Sequence, residues 1–326
     1  MWWTKQRFLG SGSYGQVYLA VQPENMEIAA VKSGTIVKCI NSLEREGRFL
    51  YSLRASPYIV RCYGEDRSVE NGFEVYNLLL EYATGGTLGD LLRSREGGLP
   101  ESDVAWYAYQ LLKGIHHVHS LGFVHCDIKP DNVLVFLRRH ARNWIKLCDF
   151  GLAKTAGGSN FFGDNHRGAL RYAPPESLRW RHYDAPKDIW ALGCIVVQMI
   201  TGKPAWEFSY NCNLLSTEDS VSPSALAFLR NCFQWDPRRR WTAEMLLSHP
   251  FIIRNNHWFE IEEREEDEGP LKNPFGSEDW NSSENLFTVG PPSTSCFDTM
   301  ESYSIWDNHD PLSFFWETQK KNSHEV

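Results

Sequence analysis

Val17, Leu19 and Val21 alternate with Gln16, Tyr18 and Ala20, the period of two that turns one face of a strand towards a core. Ile28 to Lys32 and Tyr76 to Tyr82 are short apolar runs that predict two further strands. Between them, Ser42 to Leu53 has helical spacing, with Leu43, Glu46 and Leu50 three and four residues apart on one face. From Leu99 the period changes. Pro100 suits a first helical turn, and Val104, Ala108, Leu111, Ile115 and Val118 then recur at intervals of four and three. Ile189 to Ile200 is apolar nearly all round, which predicts a helix at the centre of a helical lobe. The pattern therefore predicts an α+β chain of two lobes, a small β-rich one to about residue 82 and a larger α-rich one from 83 to 251.

After Phe251 the pattern is lost. Glu260 to Glu268 is almost wholly acidic, and the remainder mixes Pro, Ser, Asn and Gly with isolated aromatics such as Trp280, Phe287, Trp306 and Trp316. Such a segment buries too little surface to offset its ordering entropy, so residues 252–326 are expected to form a disordered acidic tail. The tail also explains the charge. From Asn256 onward sixteen Asp or Glu stand against four Lys or Arg, a net of −12 within a chain of −8, so the preceding part carries +4. That is too weakly basic to argue for nucleic acid, and it is compatible with a polyphosphate ligand.

Eight scattered cysteines without a Cys-x-x-Cys pair read as reduced thiols. The start, Met1-Trp2-Trp3-Thr4-Lys5, has no apolar signal core, and no apolar run approaches the roughly 20 residues of a membrane helix. The expectation is a monomer of the cytoplasm or nucleus, without nucleic-acid or membrane partners.

Candidate chemistry begins at Gly10-Ser11-Gly12-Ser13-Tyr14-Gly15-Gln16-Val17. Alone, Gly-x-Gly-x-x-Gly is as often an ordinary glycine turn. Here a strand follows, where a dinucleotide fold needs a helix, and the Gly-Lys-Ser/Thr of a P-loop is absent. A hairpin whose backbone closes over phosphates remains. Lys32 ends the next apolar run, either as an exposed strand-end lysine or as a cation for the α and β phosphates positioned by a carboxylate. Glu46 is the candidate partner, with Glu44 pointing elsewhere, although either could be merely solvated.

The densest cluster is His125-Cys126-Asp127-Ile128-Lys129-Pro130-Asp131-Asn132, followed by Asp149-Phe150-Gly151. In this pattern Asp127 would orient an incoming hydroxyl, Lys129 would steady the moving phosphoryl group, and Asn132 and Asp149 would bind Mg²⁺ through hard oxygens. Removing Lys32 or Asp149 should then abolish transfer without unfolding the chain, because charge placement of this kind is separate from the core.

These motifs resemble those of eukaryotic protein kinases over residues 3–251, and the resemblance implies the bilobal protein-kinase fold with ATP and Mg²⁺ as cofactors. It extends to Asp188-Ile189-Trp190, whose aspartate in that family anchors the catalytic loop, and to Arg240, which pairs there with the glutamate at Glu176. It also implies an ATP site in which Leu9, Val17, Ala30 and Leu134 enclose the base. Leu80 is then the gatekeeper, and Glu81 to Ala83 the hinge that receives adenine.

Asp-Ile-Lys-Pro-Asp-Asn is the serine/threonine form. Ser56-Pro57-Tyr58-Ile59-Val60, Gly85-Gly86-Thr87-Leu88 and Arg240-Trp241-Thr242-Ala243 are similar to plant MAP kinase kinase kinases of the MEKK-like type, which implies a MAP kinase kinase as protein substrate.

Three departures stand against that resemblance. Ala169 and Pro174 replace the threonine and alanine of Gly-Thr-x-x-Tyr-Met-Ala-Pro-Glu, so the substrate loop is expected to lose a tie near Asp127. The stretch from Trp206 to Ala225 is shorter than in relatives. Cys126 occupies the place of the arginine in His-Arg-Asp, which removes the cation that pairs with an activation-segment phosphate. The alternative that the altered substrate loop raises is a kinase-fold scaffold or decoy with weak or no turnover.

Overall fold

The structure is a computed structural model, and it describes residues 3–12, 15–139, 141–158, 167–208 and 221–254. The expected tail, Ser13 and Tyr14 of the glycine motif, and most of the shortened stretch after Trp206 lie outside the described residues.

The first lobe is a five-stranded antiparallel sheet in the order β1-β2-β3-β5-β4, built from β1 (Thr4–Gly12), β2 (Gly15–Val21), β3 (Ile28–Gly34), β4 (Cys62–Glu70) and β5 (Phe73–Leu80). Helix α1 (Val37–Ser52) packs against β3, β4 and β5. The sheet is covered on both faces. Tyr76, Leu78 and Leu80 join Leu43 and Leu50 in the main core. On the other face Leu79 and Val31 pack with Ala20, Ala29 and the fully buried Trp3. Burial on both faces is why β5 reads as a continuous apolar run instead of an alternation.

The second lobe is organised by α3 (Glu101–Ser120) and α5 (Ala185–Thr201), which pack on each other; α2 (Leu88–Arg93) and α4 (Pro175–Trp180) precede each of them. Helix α5 begins on a capping Asp184 with Pro186 in its first turn and ends at Gly202 in the left-handed conformation, φ 70°. Its residues from Lys187 to Val197 are all buried, as the all-round apolar pattern predicted. α6 (Pro223–Cys232), α7 (Ala243–Leu247) and α8 (Pro250–Ile253) close the lobe. Two small antiparallel pairs lie on it: β6 (Phe123–Val124) with β9 (Lys154–Thr155), and β7 (Val133–Phe136) with β8 (Trp144–Leu147). Among the described residues no helix is long and apolar enough to cross a membrane.

Candidate active site

Helix α1 and strand β3 deliver the first ion pair. Lys32 faces Leu78 across the β3–β5 ladder, and its Nζ donates to Glu46 Oε2 at 2.7 Å and to Asp149 Oδ1 at 2.9 Å. The lysine side chain is 7% exposed and the Glu46 side chain 1%. Burial works against the Lys32 charge, yet the two carboxylates outweigh it and hold its pKa above the ordinary lysine value. Glu44, as expected, points away, to Arg67.

This burial corrects one expectation. The Lys32 charge is not separable from the core, because Glu46 depends on it for its counter-ion.

Asp149 adopts a left-handed backbone, φ 61°, which turns its carboxylate towards Lys32 and seats the following Phe150, fully buried, near α1. Burial opposes ionisation of Asp149, but Lys32 prevails and lowers its pKa below the usual carboxylate value. Arg45 on α1 holds the same turn by donating to the Gly151 carbonyl.

The catalytic loop is built around a second left-handed residue, Cys126, φ 69°. Asp188 from α5 fixes it, accepting from the His125 and Cys126 amides at 2.9 and 3.0 Å and from His119 Nε2 at 3.0 Å. Asp188 is buried, yet these donors keep its pKa below the ordinary range. His125 Nε2–H donates to the Cys148 carbonyl at 3.0 Å, which leaves Nδ1 to accept from the Asp127 amide at 3.2 Å. Asp127 is thereby held with its carboxylate next to Lys129 Nζ, 2.7 Å away, and to Asn132 Nδ2, 3.0 Å away. Asn132 also donates to the Asp127 carbonyl at 2.8 Å.

A divalent cation fits this donor set. The Asn132 amide nitrogen is committed to Asp127, which leaves its Oδ1 as an acceptor. Asp149 is ionised, with its side chain 29% exposed. Two hard oxygens on adjacent loops are the ligands such an ion prefers.

On the base side, the glycine hairpin pairs Gly10 with Val17, Ser11 with Gln16 and Gly12 with Gly15. A Cβ on Gly15 would lie 2.5 Å from the Ser33 carbonyl oxygen, so only glycine lets β2 approach β3 there. Leu9 stands on the outer strand of the hairpin and is partly exposed, Val17, Ala30 and Leu134 are half-buried, and Leu80 lies directly across from Ala30. Beyond Leu80, the Glu81 amide donates to the Arg61 carbonyl at 2.9 Å, while among the described residues the Glu81 carbonyl and the Ala83 amide make no backbone bond outside the regular elements.

A family model described as protein kinase domain matches residues 3–252. Mitogen-activated protein kinase kinase kinase 20 of Arabidopsis thaliana is 37% identical over 310 residues, 86% of this chain and 89% of the relative. Mitogen-activated protein kinase kinase kinase 17 of the same plant is 37% identical over 272 residues, 77% and 70% of the two chains. Mitogen-activated protein kinase kinase kinase A of Dictyostelium discoideum is 32% identical over 271 residues, 77% of this chain and 28% of the relative. The chain belongs to the protein kinase family. It is a serine/threonine protein kinase, similar over most of its length to mitogen-activated protein kinase kinase kinases.

In this kinase the substrate loop keeps a tie that its sequence seemed to lack. Gly168, φ 86°, packs so closely on the catalytic loop that a Cβ would lie 2.2 Å from the Cys126 carbonyl oxygen. That contact brings the Ala169 amide to Asp127 Oδ1 at 2.8 Å. The loop therefore keeps a main-chain tie to Asp127 beside the missing threonine hydroxyl, which no side-chain motif could reveal. Pro174 fits equally well as the residue before α4, its carbonyl accepting from the Ser177 and Leu178 amides at 3.0 and 3.1 Å. Glu176 meets Arg240 at 2.6 and 3.1 Å, and the guanidinium also donates to the Pro186 and Gln234 carbonyls.

Cys126 is fully buried among Val124, Tyr183 and Leu152, and burial pushes its thiol up to about 12. Two of the cations around it in the kinase are engaged with main chain, and a third, Lys187, lies over the Tyr183 ring. Lys154 donates to the Tyr183 and Gly158 carbonyls at 2.8 and 2.9 Å, and Arg167 to the Leu152 carbonyl at 2.8 Å.

Proposed function

We propose that this serine/threonine kinase transfers the γ-phosphoryl group of ATP, bound with Mg²⁺, to a MAP kinase kinase. The observation that carries the reading is the convergence of two clusters, one in which Lys32 bonds to both Glu46 and Asp149 and one in which Lys129 and Asn132 both bond to Asp127.

In this reading Lys32 holds the α and β phosphates, kept charged and aimed by Glu46. The cation, held by Asn132 Oδ1 and the Asp149 carboxylate, would neutralise charge on the phosphate oxygens. Asp127 accepts the proton of the substrate hydroxyl as its oxygen approaches the γ-phosphorus, and Lys129 faces the charge that develops on the transferred group. The Ala169 amide and the Lys129 ammonium both bind Asp127, fixing the direction from which the hydroxyl approaches. A MAP kinase kinase as acceptor is supported by the names of the relatives in Arabidopsis. No described contact favours the scaffold reading, since its motive was the substrate loop.

The test is purified full-length protein with labelled ATP and a panel of catalytically inactive MAP kinase kinases beside a generic acceptor. Label on serine or threonine of a MAP kinase kinase, at a rate well above the generic acceptor, is the expected result. Equal labelling of all acceptors would overturn the substrate assignment, and none at all the transfer.

A further inference from the structure

The carboxylate of Glu81, in the segment that links the two lobes, does not face solvent. Both its oxygens accept from Lys146 Nζ, at 2.8 and 2.9 Å, and Oε2 accepts in addition from the Arg61 amide at 3.2 Å. The two side chains are 9% and 11% exposed, and the ammonium also lies 4.9 Å from the Phe136 ring centroid. Three segments distant in sequence thus meet on one carboxylate: the linker at 81, the approach to β4 at 61, and strand β8.

The placement of Lys146 gives that junction a consequence. It stands opposite Leu134 in the β7–β8 ladder. It is also three residues before Asp149, on a strand that Leu147 ties to Tyr58 and Val60 through bonds of 2.9 Å. The Glu81 backbone is therefore pinned on one side by its amide to Arg61 and on the other by its side chain to β8. Among the described residues its carbonyl and the Ala83 amide have no hydrogen-bond partner, which leaves an acceptor and a donor in the linker.

We propose that Lys146 is a positioning residue for the purine: by clamping Glu81 it presets the direction of the hinge carbonyl and amide, without touching the nucleotide. This rests on the reading of the cleft as an ATP site. A buried ion pair whose carboxylate also accepts a main-chain amide is suited to this, because it costs desolvation and returns a single geometry. Holding the acceptor and donor in place before the purine arrives lowers the ordering cost of binding, so the clamp acts on affinity and not on the transfer step.

The experiment uses the full chain with Lys146→Met, Lys146→Arg and Glu81→Gln. Steady-state kinetics with ATP are combined with calorimetric affinity for MgADP and inhibition by adenosine, which lacks phosphates. The clamp predicts that Lys146→Met raises the KM for ATP and the Kd for MgADP five- to tenfold. The adenosine inhibition constant should rise by the same factor, with kcat at saturating ATP within twofold. Lys146→Arg should recover affinity to within threefold, and Glu81→Gln should weaken it as Lys146→Met does.

A lowered Tm with unchanged affinities means a purely structural pair and overturns the proposal. So does a change in MgADP affinity without one for adenosine, which would place the effect at the phosphates through Asp149. Because the binding measurements need no turnover, an inactive protein that still binds MgADP would sink the proposed function and leave the clamp standing.

Discussion

Replacing Lys32 by Met should do more than stop catalysis. Methionine is close to lysine in length and fills the same channel, so the packing loss is small. What is lost is the one cation bonded to Glu46 among the described residues, and the Glu46 side chain is 1% exposed. Breaking a buried pair by removing one partner costs about 3–5 kcal/mol, because the other charge is left uncompensated. That is a large part of the 5–15 kcal/mol typical of a domain. The second carboxylate, Asp149, adds to the repulsion, but its 29% exposure lets water take part of the load.

The double variant Lys32→Met, Glu46→Leu separates charge from chemistry. It removes both ions and leaves an apolar contact between α1 and β3, so stability should return to within about 1 kcal/mol of the parent while transfer stays absent. The assay is urea unfolding followed by fluorescence, with transfer measured in parallel. The dependence on pH has a fixed sign. In Lys32→Met the buried Glu46 carboxyl, without its cation, has a folded pKa above its unfolded value of about 4.3. The folded state then binds more protons, and its stability falls as pH rises from about 4.3 through the folded pKa. The deficit relative to the parent should therefore shrink on acidification from pH 8 to pH 5. A single variant as stable as the parent at pH 8, or a double variant no better than the single, would refute the reasoning.

Asp149→Asn keeps the fold and loses an anionic oxygen, so transfer should fall at least a hundredfold while MgADP binding weakens; retained phosphorylation sinks the assignment of Asp149 to the cation. Ala169→Pro suits the native φ of −70° but puts a ring carbon where the amide hydrogen meets Asp127, so the loop must move off that carboxylate and kcat should drop at least tenfold, and an unchanged kcat would show that this tie is idle. With Cys126 neutral and Lys154 and Arg167 engaged with carbonyls, phosphatase treatment and a Thr155→Ala, Ser159→Ala variant should each leave basal activity within about threefold. A loss of tenfold or more in both, about 1.4 kcal/mol of barrier, would reveal a phosphate switch.

The parts of this site that were legible in the sequence are those carried by side chains in short segments. Asp127, Lys129 and Asn132 lie within six residues of one another, so local backbone geometry alone brings them together. Lys32 and Glu46 could be paired only because the helical period put Glu46 on the face of Leu43 and Leu50, which the core then orients. The continuous run of β5 and the all-round apolar helix α5 were legible for the same reason, since each is a local pattern answering to burial on all sides.

What the sequence did not disclose depends on main chain or on distant segments. The Ala169 amide reaches Asp127 because Gly168 has no side chain, so the loop closes over the Cys126 carbonyl. A motif comparison sees only the missing threonine there, and from that missing hydroxyl alone it predicts a weaker site than the backbone builds. Glu81 and Lys146 are 65 residues apart, and only the first entered the sequence reading, as hinge backbone. The available signal was a carboxylate directly after the apolar run Leu78-Leu79-Leu80. A charge that ends a buried strand without returning to solvent must find a buried partner, and the lysine of β8 is the cation the fold brings to it.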